Sequence, residues 1–211
     1  EISACLVGSE MCIRDRLKAM VRSVKSVEDS DFTAPERLRG VLREYQRIGY
    51  VWLRTLDSYG FGGILADDMG LGKTIQIIAL LEDAYGSGEQ SPSLIICPAS
   101  LVYNWEHEIR RFAPDLKVLS VVGSSSEREV FLNEVGRNPQ DYQVIVTSYD
   151  LLRRDVGLYE AIHFRYQVID EAQYIKNAST QSARAVKSLD VQTRFALTGC
   201  LLYTSDAADD L

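Results

Sequence analysis

No apolar run in this 211-residue sequence approaches the ~18 residues that a bilayer-spanning helix needs, so a transmembrane helix is excluded. The chain starts at Glu1 without a basic region leading into a long apolar stretch; no secretory signal is expected, and the start reads as the edge of a fragment. Cysteine is sparse and scattered. Cys5, Cys12, Cys97 and Cys200 form no C-x-x-C pair and have no histidine at a zinc-ligand spacing, which argues against zinc and against a disulfide framework. A reducing, intracellular compartment is the default. Excess positive charge is also missing: 23 basic residues against 30 acidic ones give a net charge of −7. The broad basic footprint of a nucleic-acid binder is therefore absent, although a local basic path on one face would suffice. There is no internal repeat, and no low-complexity tract beyond Ser124–Ser126. With 46% hydrophobic and 25% charged residues, the composition is that of an ordinary globular domain, which excludes a disordered tail, a collagen-like fibre or a disulfide-dense mini-protein. The length suits one domain and part of a second.

The two ends read unlike the middle. Residues 1–16 (EISACLVGSEMCIRDR) and 200–211 (CLLYTSDAADDL) lack useful periodicity and resemble translated sequencing-adapter DNA, so both are expected to be non-native tails. They carry −1 and −3 of the net charge, leaving −3 on residues 17–199. Residues 17–37 read as a linker, with Asp29, Ser30, Asp31 and Pro35 as its markers. From Leu38 the apolar residues Val41, Leu42, Tyr45, Ile48, Trp52, Leu53 and Leu56 follow helical spacing, predicting one helix to about Ser58. Beyond the glycine-rich break at Tyr59–Gly63, short apolar runs alternate with helical stretches. Strands are predicted at Gly63–Ala66, Leu94–Cys97, Lys117–Val121, Gln143–Thr147, Tyr166–Ile169 and Arg194–Leu197. Helices are predicted at Lys73–Tyr85, Leu101–Phe112, Glu127–Val135, Tyr149–Arg154 and Thr180–Leu189. Such alternation implies an α/β fold: a doubly wound, mainly parallel sheet with helices on both faces.

The most informative segment is DDMGLGKT at Asp67–Thr74, between the first strand and the helix that follows it. A phosphate-binding loop needs glycines so that backbone N–H groups can turn inward around phosphate oxygens, and Gly70 and Gly72 supply them. Lys73 is placed to reach the β- and γ-phosphates, Thr74 to ligate Mg2+, and the helix N-terminus favours the anion. The general pattern has glycine where Asp67 stands. A second segment, VIDEAQ at Val168–Gln173, puts two carboxylates at the C-terminal end of a strand, the edge where open parallel sheets bind ligands. Asp170 suits a magnesium held through water. Glu171 suits orientation and deprotonation of an attacking water. Alone, such a string is more often a solvated helix start; with the loop in the same sheet it becomes specific.

Together these residues resemble the Swi/Snf-type ATPases of helicase superfamily two, as the N-terminal of two RecA-like lobes covering residues 38–199. LREYQRIGYVWL at Leu42–Leu53 is similar to the family's adenine-reading segment, with Gln46 as reader. LADDMGLGKT at Leu65–Thr74 is similar to its motif I, in the form with Asp67. CPASLVYNW at Cys97–Trp105 resembles motif Ia, TSYD at Thr147–Asp150 the DNA-side motif after it, DEAQYIKN at Asp170–Asn177 motif II, and LTG at Leu197–Gly199 the start of motif III. The family continues the last with Thr-Pro, whereas Cys200-Leu201 follows here.

The resemblance implies an ATP site with Mg2+ built from Gln46, Asp68, Met69, Gly70, Leu71, Gly72, Lys73, Thr74, Asp170, Glu171 and Gln173. It further implies DNA-phosphate contacts at Ser100, Thr147 and Ser148, with helix capping as the alternative, and coupling or DNA contact at Lys176 and Asn177. Ser100 serves equally well as a helix cap before Leu101. Trp52 and Trp105 read as core, His107 and His163 as surface, and Arg110–Arg111 and Arg153–Arg154 as charged helix faces. The implied function is the ATP-binding lobe of a motor on double-stranded DNA, whose partner is the second lobe of the parent chain and which is inactive without it. A nucleotide-switched interaction module and a strand-separating helicase are the alternatives. The expected location is cytoplasmic and nucleoid-associated in a bacterium, or nuclear in a eukaryote.

Overall fold

The computed structural model describes residues 32–68 and 70–199; the tails, most of the linker and Met69 lie outside the described residues. Six strands form one all-parallel sheet: β1 (Gly63–Leu65), β2 (Ser93–Cys97), β3 (Val118–Ser120), β4 (Val144–Ser148), β5 (Phe164–Ile169) and β6 (Val191–Leu197). Their order is β1-β6-β5-β2-β4-β3, so the last strand inserts between the first and the fifth. All six predicted strands are present. β2 and β4 are buried at every position, because helices cover both faces, and their sequence is accordingly apolar without alternation.

The helices are α1 (Glu36–Arg39), α2 (Glu44–Ser58), α3 (Lys73–Gly86), α4 (Val102–Phe112), α5 (Ser125–Arg137), α6 (Tyr149–Tyr159) and α7 (Gln181–Ser188). Successive strand residues face opposite ways. Ile95 and Cys97 of β2 join the core of α2, α3 and α4, with Leu53, Leu80 and Trp105. Leu94 and Ile96 join the core of α5, α6 and α7, with Leu132, Leu152 and Val186. The serine tract at Ser124–Ser126 proves to be a helix start: Ser124 Oγ accepts from the Glu127 N–H, and the Glu127 carboxylate accepts from the Ser124 N–H.

The single helix predicted from Leu38 to Ser58 is instead two. Gly40 ends α1, and Arg43, in extended conformation with ψ 161°, starts α2. The Gln46 side chain accepts the Arg43 N–H at 2.9 Å, closing the new first turn. The predicted apolar face is correspondingly different. Val41, Tyr45 and Ile48 are exposed, and Tyr50, Val51, Leu53 and Leu56 enter the core.

Two groups of buried charges tie helices to the rest of the domain. Asp57, at the end of α2, accepts from Arg165 at 2.6 Å, Tyr166 at 2.8 Å and Arg54 at 3.2 Å, tying α2 to the start of β5. Arg128 and Asp155 pair in bidentate fashion at 2.5 and 3.0 Å, joining α5 to α6. Among the described residues, no helix is long and apolar enough to cross a membrane.

Candidate active site

Because the strands are parallel, the ends of β1, β5 and β6 open onto one edge. Leaving β1, the chain turns through Gly70 (φ +85°) and Gly72 (φ +76°), both in the left-handed region that side chains disfavour, and Gly72 is the N-cap of α3. Lys73 Nζ donates to the carbonyls of Asp67 at 2.7 Å and Asp68 at 3.0 Å, so the ammonium sits over the mouth of the loop. Asp67, at the position of the usual glycine, accepts from Gln76 Nε2 at 3.3 Å and is thereby tied to α3. Gln76 is fully buried against Gly49 of α2, where a Cβ would fall 1.9 Å from its Oε1.

Gln46 is nearly buried and braces this loop. Its Nε2 donates to the Leu71 carbonyl at 3.0 Å while its Oε1 holds the Arg43 N–H. A Cβ on Gly72 would lie 2.3 Å from that Nε2. The glycine therefore serves twice, for its backbone angle and for the approach of Gln46.

At the end of β5, the Asp170 carboxylate accepts from Trp105 Nε1 at 2.8 Å on Oδ2 and from the Glu171 N–H at 2.9 Å on Oδ1. The Tyr149 hydroxyl donates to the Asp170 carbonyl at 2.6 Å, and Tyr149 stacks on Tyr174 with ring centres 5.5 Å apart. Burial pushes the Asp170 carboxyl above its ordinary range, as does the neighbouring Glu171 charge; the bonds from Trp105 and the Glu171 amide, and the charge of Lys73, pull it back. Glu171 has φ +51°, ψ +54°, and is the one non-glycine with positive φ among the described residues. Backbone held this far from its preferred regions persists where surrounding structure imposes it, commonly at functional sites. Gln173 Nε2 donates to Glu171 at 2.6 Å, and its Oε1 accepts from the Thr198 hydroxyl at 3.3 Å, linking the carboxylate turn to the end of β6.

A cleft of about 510 Å³ joins these parts, within the usual size of a small-molecule site. Its walls include Gln46, Gly70, Gly72, Lys73, Thr74, Asp170 and Glu171. Of the remaining residues assigned to nucleotide, Asp68, Leu71 and Gln173 stand just outside it, touching the site through the bonds above. The cleft also takes in Arg43, Tyr45, Asn104, Trp105, Glu108 and Phe112, which sequence reasoning did not assign. Val41 and Tyr45 carried helical spacing in the sequence yet line this cleft; the spacing reported a helix face without showing what the face meets.

The residues assigned to DNA separate into two groups. Ser100 is exposed on the 3-10 turn Ala99–Leu101 after β2 and caps no helix, and Lys176 and Asn177 are exposed after the carboxylates. Asn177 Oδ1 accepts the Ser179 N–H at 3.0 Å. Thr147 and Ser148 are a correction. Thr147 is fully buried, its hydroxyl donating to the Val121 carbonyl at 3.2 Å, and Ser148 is 3% exposed, its hydroxyl capping α6. A parallel strand covered on both faces leaves neither side chain at the surface. Arg110 pairs with Glu106, and Arg153 meets Asp150 and Gln181, as charged helix faces do.

Among the described residues, no three His, Cys, Asp or Glu side chains cluster into a metal cage. The cleft offers instead the Asp170 carboxylate, held by two hydrogen bonds, and the Thr74 hydroxyl, with Glu171 and Glu108 also on its walls. That sparse set fits Mg2+, which keeps most of its ligands as phosphate oxygens and water.

A family model described as SNF2-related domain matches residues 45–204. The chain belongs to this family. Among its SNF2 relatives, it is 38% identical over 186 residues to the chromatin-remodeling ATPase INO80 of Drosophila melanogaster, covering 85% of this chain and 11% of that protein. It is 40% identical over 185 residues to an uncharacterized ATP-dependent helicase of Mycoplasma pneumoniae, covering 85% of this chain and 18% of the relative. The SWI2/SNF2 ATPase core of Sulfolobus solfataricus, solved in complex with double-stranded DNA, superposes with a TM-score of 0.70 at 42% identity, over 81% of this chain and 35% of that one. The RecA-like SNF2 fold expected from the motifs is the fold observed. The chain spans a small part of these curated relatives and about a third of the solved core.

Proposed function

We propose that residues 38–199 are the first lobe of an ATP-hydrolysing motor on double-stranded DNA. One observation carries this reading: a single cleft gathers Lys73 and Thr74 from the start of α3, after the loop that leaves β1, with Asp170 and Glu171 from the end of β5. The loop Gly70–Thr74 and the α3 N-terminus bind phosphate oxygens through backbone N–H groups. Lys73 exchanges its two carbonyl partners for the β- and γ-phosphates. Asp170, through water, and Thr74 would hold Mg2+, which supplies charge neutralisation on the phosphates. Glu171 orients the attacking water and takes its proton. Gln46, on the cleft wall, contacts the adenine, and Ser100, Lys176 and Asn177 offer exposed contacts for DNA phosphates.

In this reading the site is completed by arginines of a second lobe, which stabilise charge on the transferring phosphoryl group and are worth ~10³–10⁵ in turnover. The 211-residue chain then binds nucleotide but hydrolyses it negligibly. The test titrates a fluorescent ATP analogue against the chain and against Lys73→Ala. Loss of a charge-assisted phosphate contact costs roughly 1.5–3 kcal/mol, about 10- to 100-fold in affinity. Equal affinities would sink the assignment. Phosphate release with and without duplex, from this chain and a two-lobed version, tests the rest: duplex-stimulated turnover by the single lobe refutes the shared site, and strand displacement by the two-lobed version favours the helicase alternative.

A further inference from the structure

Trp105 is 1% exposed and belongs to the same buried core as Ile95, Ile109 and Val146. Its N–H nevertheless leaves the core and ends on Asp170 Oδ2 at 2.8 Å, across 65 residues of sequence. A buried indole needs one acceptor, and here that acceptor is a carboxylate opening on the cleft. The other Asp170 oxygen is held by the Glu171 N–H at 2.9 Å, and the Asp170 main chain by the Tyr149 hydroxyl at 2.6 Å. With its backbone and both carboxylate oxygens tied, Asp170 has little rotational freedom left.

We propose that Trp105 is a positioning residue for Asp170, fixing through one N–H···O bond which lone pairs the carboxylate turns toward a nucleotide-bound divalent cation. This rests on the nucleotide reading above. Trp105 reaches the carboxylate from a different element, α4, so it constrains the side chain independently of the β5 turn. Groups that orient a metal-binding carboxylate in this way typically matter 10- to 100-fold in metal affinity.

The test uses the 211-residue chain and a fluorescent ATP analogue, titrated once with Mg2+ and once in EDTA; the ratio of the two affinities is the readout. Two variants are compared with wild type: Trp105→Phe, and replacement of Trp105 by β-(3-benzothienyl)alanine, which keeps the bicyclic shape and removes only the N–H. Both are expected to lose about tenfold of the Mg2+ enhancement while keeping EDTA affinity within about twofold of wild type. An undiminished ratio in the benzothienyl variant overturns the proposal. So does an equal loss with and without Mg2+, which would assign Trp105 to packing alone. Failure of wild type to bind the analogue, or equal binding by Lys73→Ala, would overturn the nucleotide reading itself.

Discussion

Replacing Gly72 with alanine should damage the site by two separable routes. Its φ of +76° lies in the left-handed region, where a side chain costs ~1–2 kcal/mol. The new Cβ would also stand 2.3 Å from Gln46 Nε2, forcing that amide off the Leu71 carbonyl it holds at 3.0 Å. A net hydrogen bond is worth ~0.5–1.5 kcal/mol, so the total is roughly 2–3 kcal/mol. For a domain of this size that lowers Tm by about 4–12 °C, measured by circular dichroism. Two further variants separate the routes. Gly70 has φ +85° with nothing within 4 Å of a Cβ, so Gly70→Ala carries the backbone cost alone. In the double variant Gln46→Ala/Gly72→Ala the clash partner is gone, so its loss should fall short of the sum of the singles by about 1 kcal/mol. Equal Tm values for Gly72→Ala and Gly70→Ala, or strict additivity in the double variant, would refute the account of Gln46 as a brace.

In a two-lobed version of the protein, Glu171→Gln should leave ATP affinity nearly intact and slow hydrolysis by at least ~10²-fold, measured by phosphate release; normal turnover would show that another group activates the water. Arg128→Met strands the Asp155 carboxylate, whose side chain is 8% exposed, and should cost ~3–5 kcal/mol in urea unfolding, while Arg128→Met/Asp155→Leu recovers most of it. The thiol of Cys97 is pushed up to about 12, first by burial and then by the Asp170 charge. Peptide-resolved mass spectrometry should therefore find it unalkylated in the native chain at pH 8. The sign follows from linkage: the unfolded thiol ionises near ~8.5, so this residue's contribution to stability is intact below that pH and is lost as pH rises toward 12.

The sequence alone determined the repertoire of parts. Buried parallel strands must be apolar along their whole length, so runs such as Leu94–Cys97 announce themselves, and the glycines of Asp67–Thr74 mark a loop whose backbone angles few other residues tolerate. Both are signals between near neighbours in the chain. Tertiary structure decided everything that depends on which distant segment lies alongside. It set β6 between β1 and β5, pairing Leu65 with Leu197. It covered Thr147 and Ser148 on both faces of the sheet, and broke the first helix where Gln46 could close a new turn on Arg43. It also gave the indole of Trp105, readable in sequence only as a core residue, Asp170 as its acceptor. Sequence pattern marks an apolar face, but what that face meets, and the partner of a buried polar atom, is chosen by packing between elements far apart in the chain.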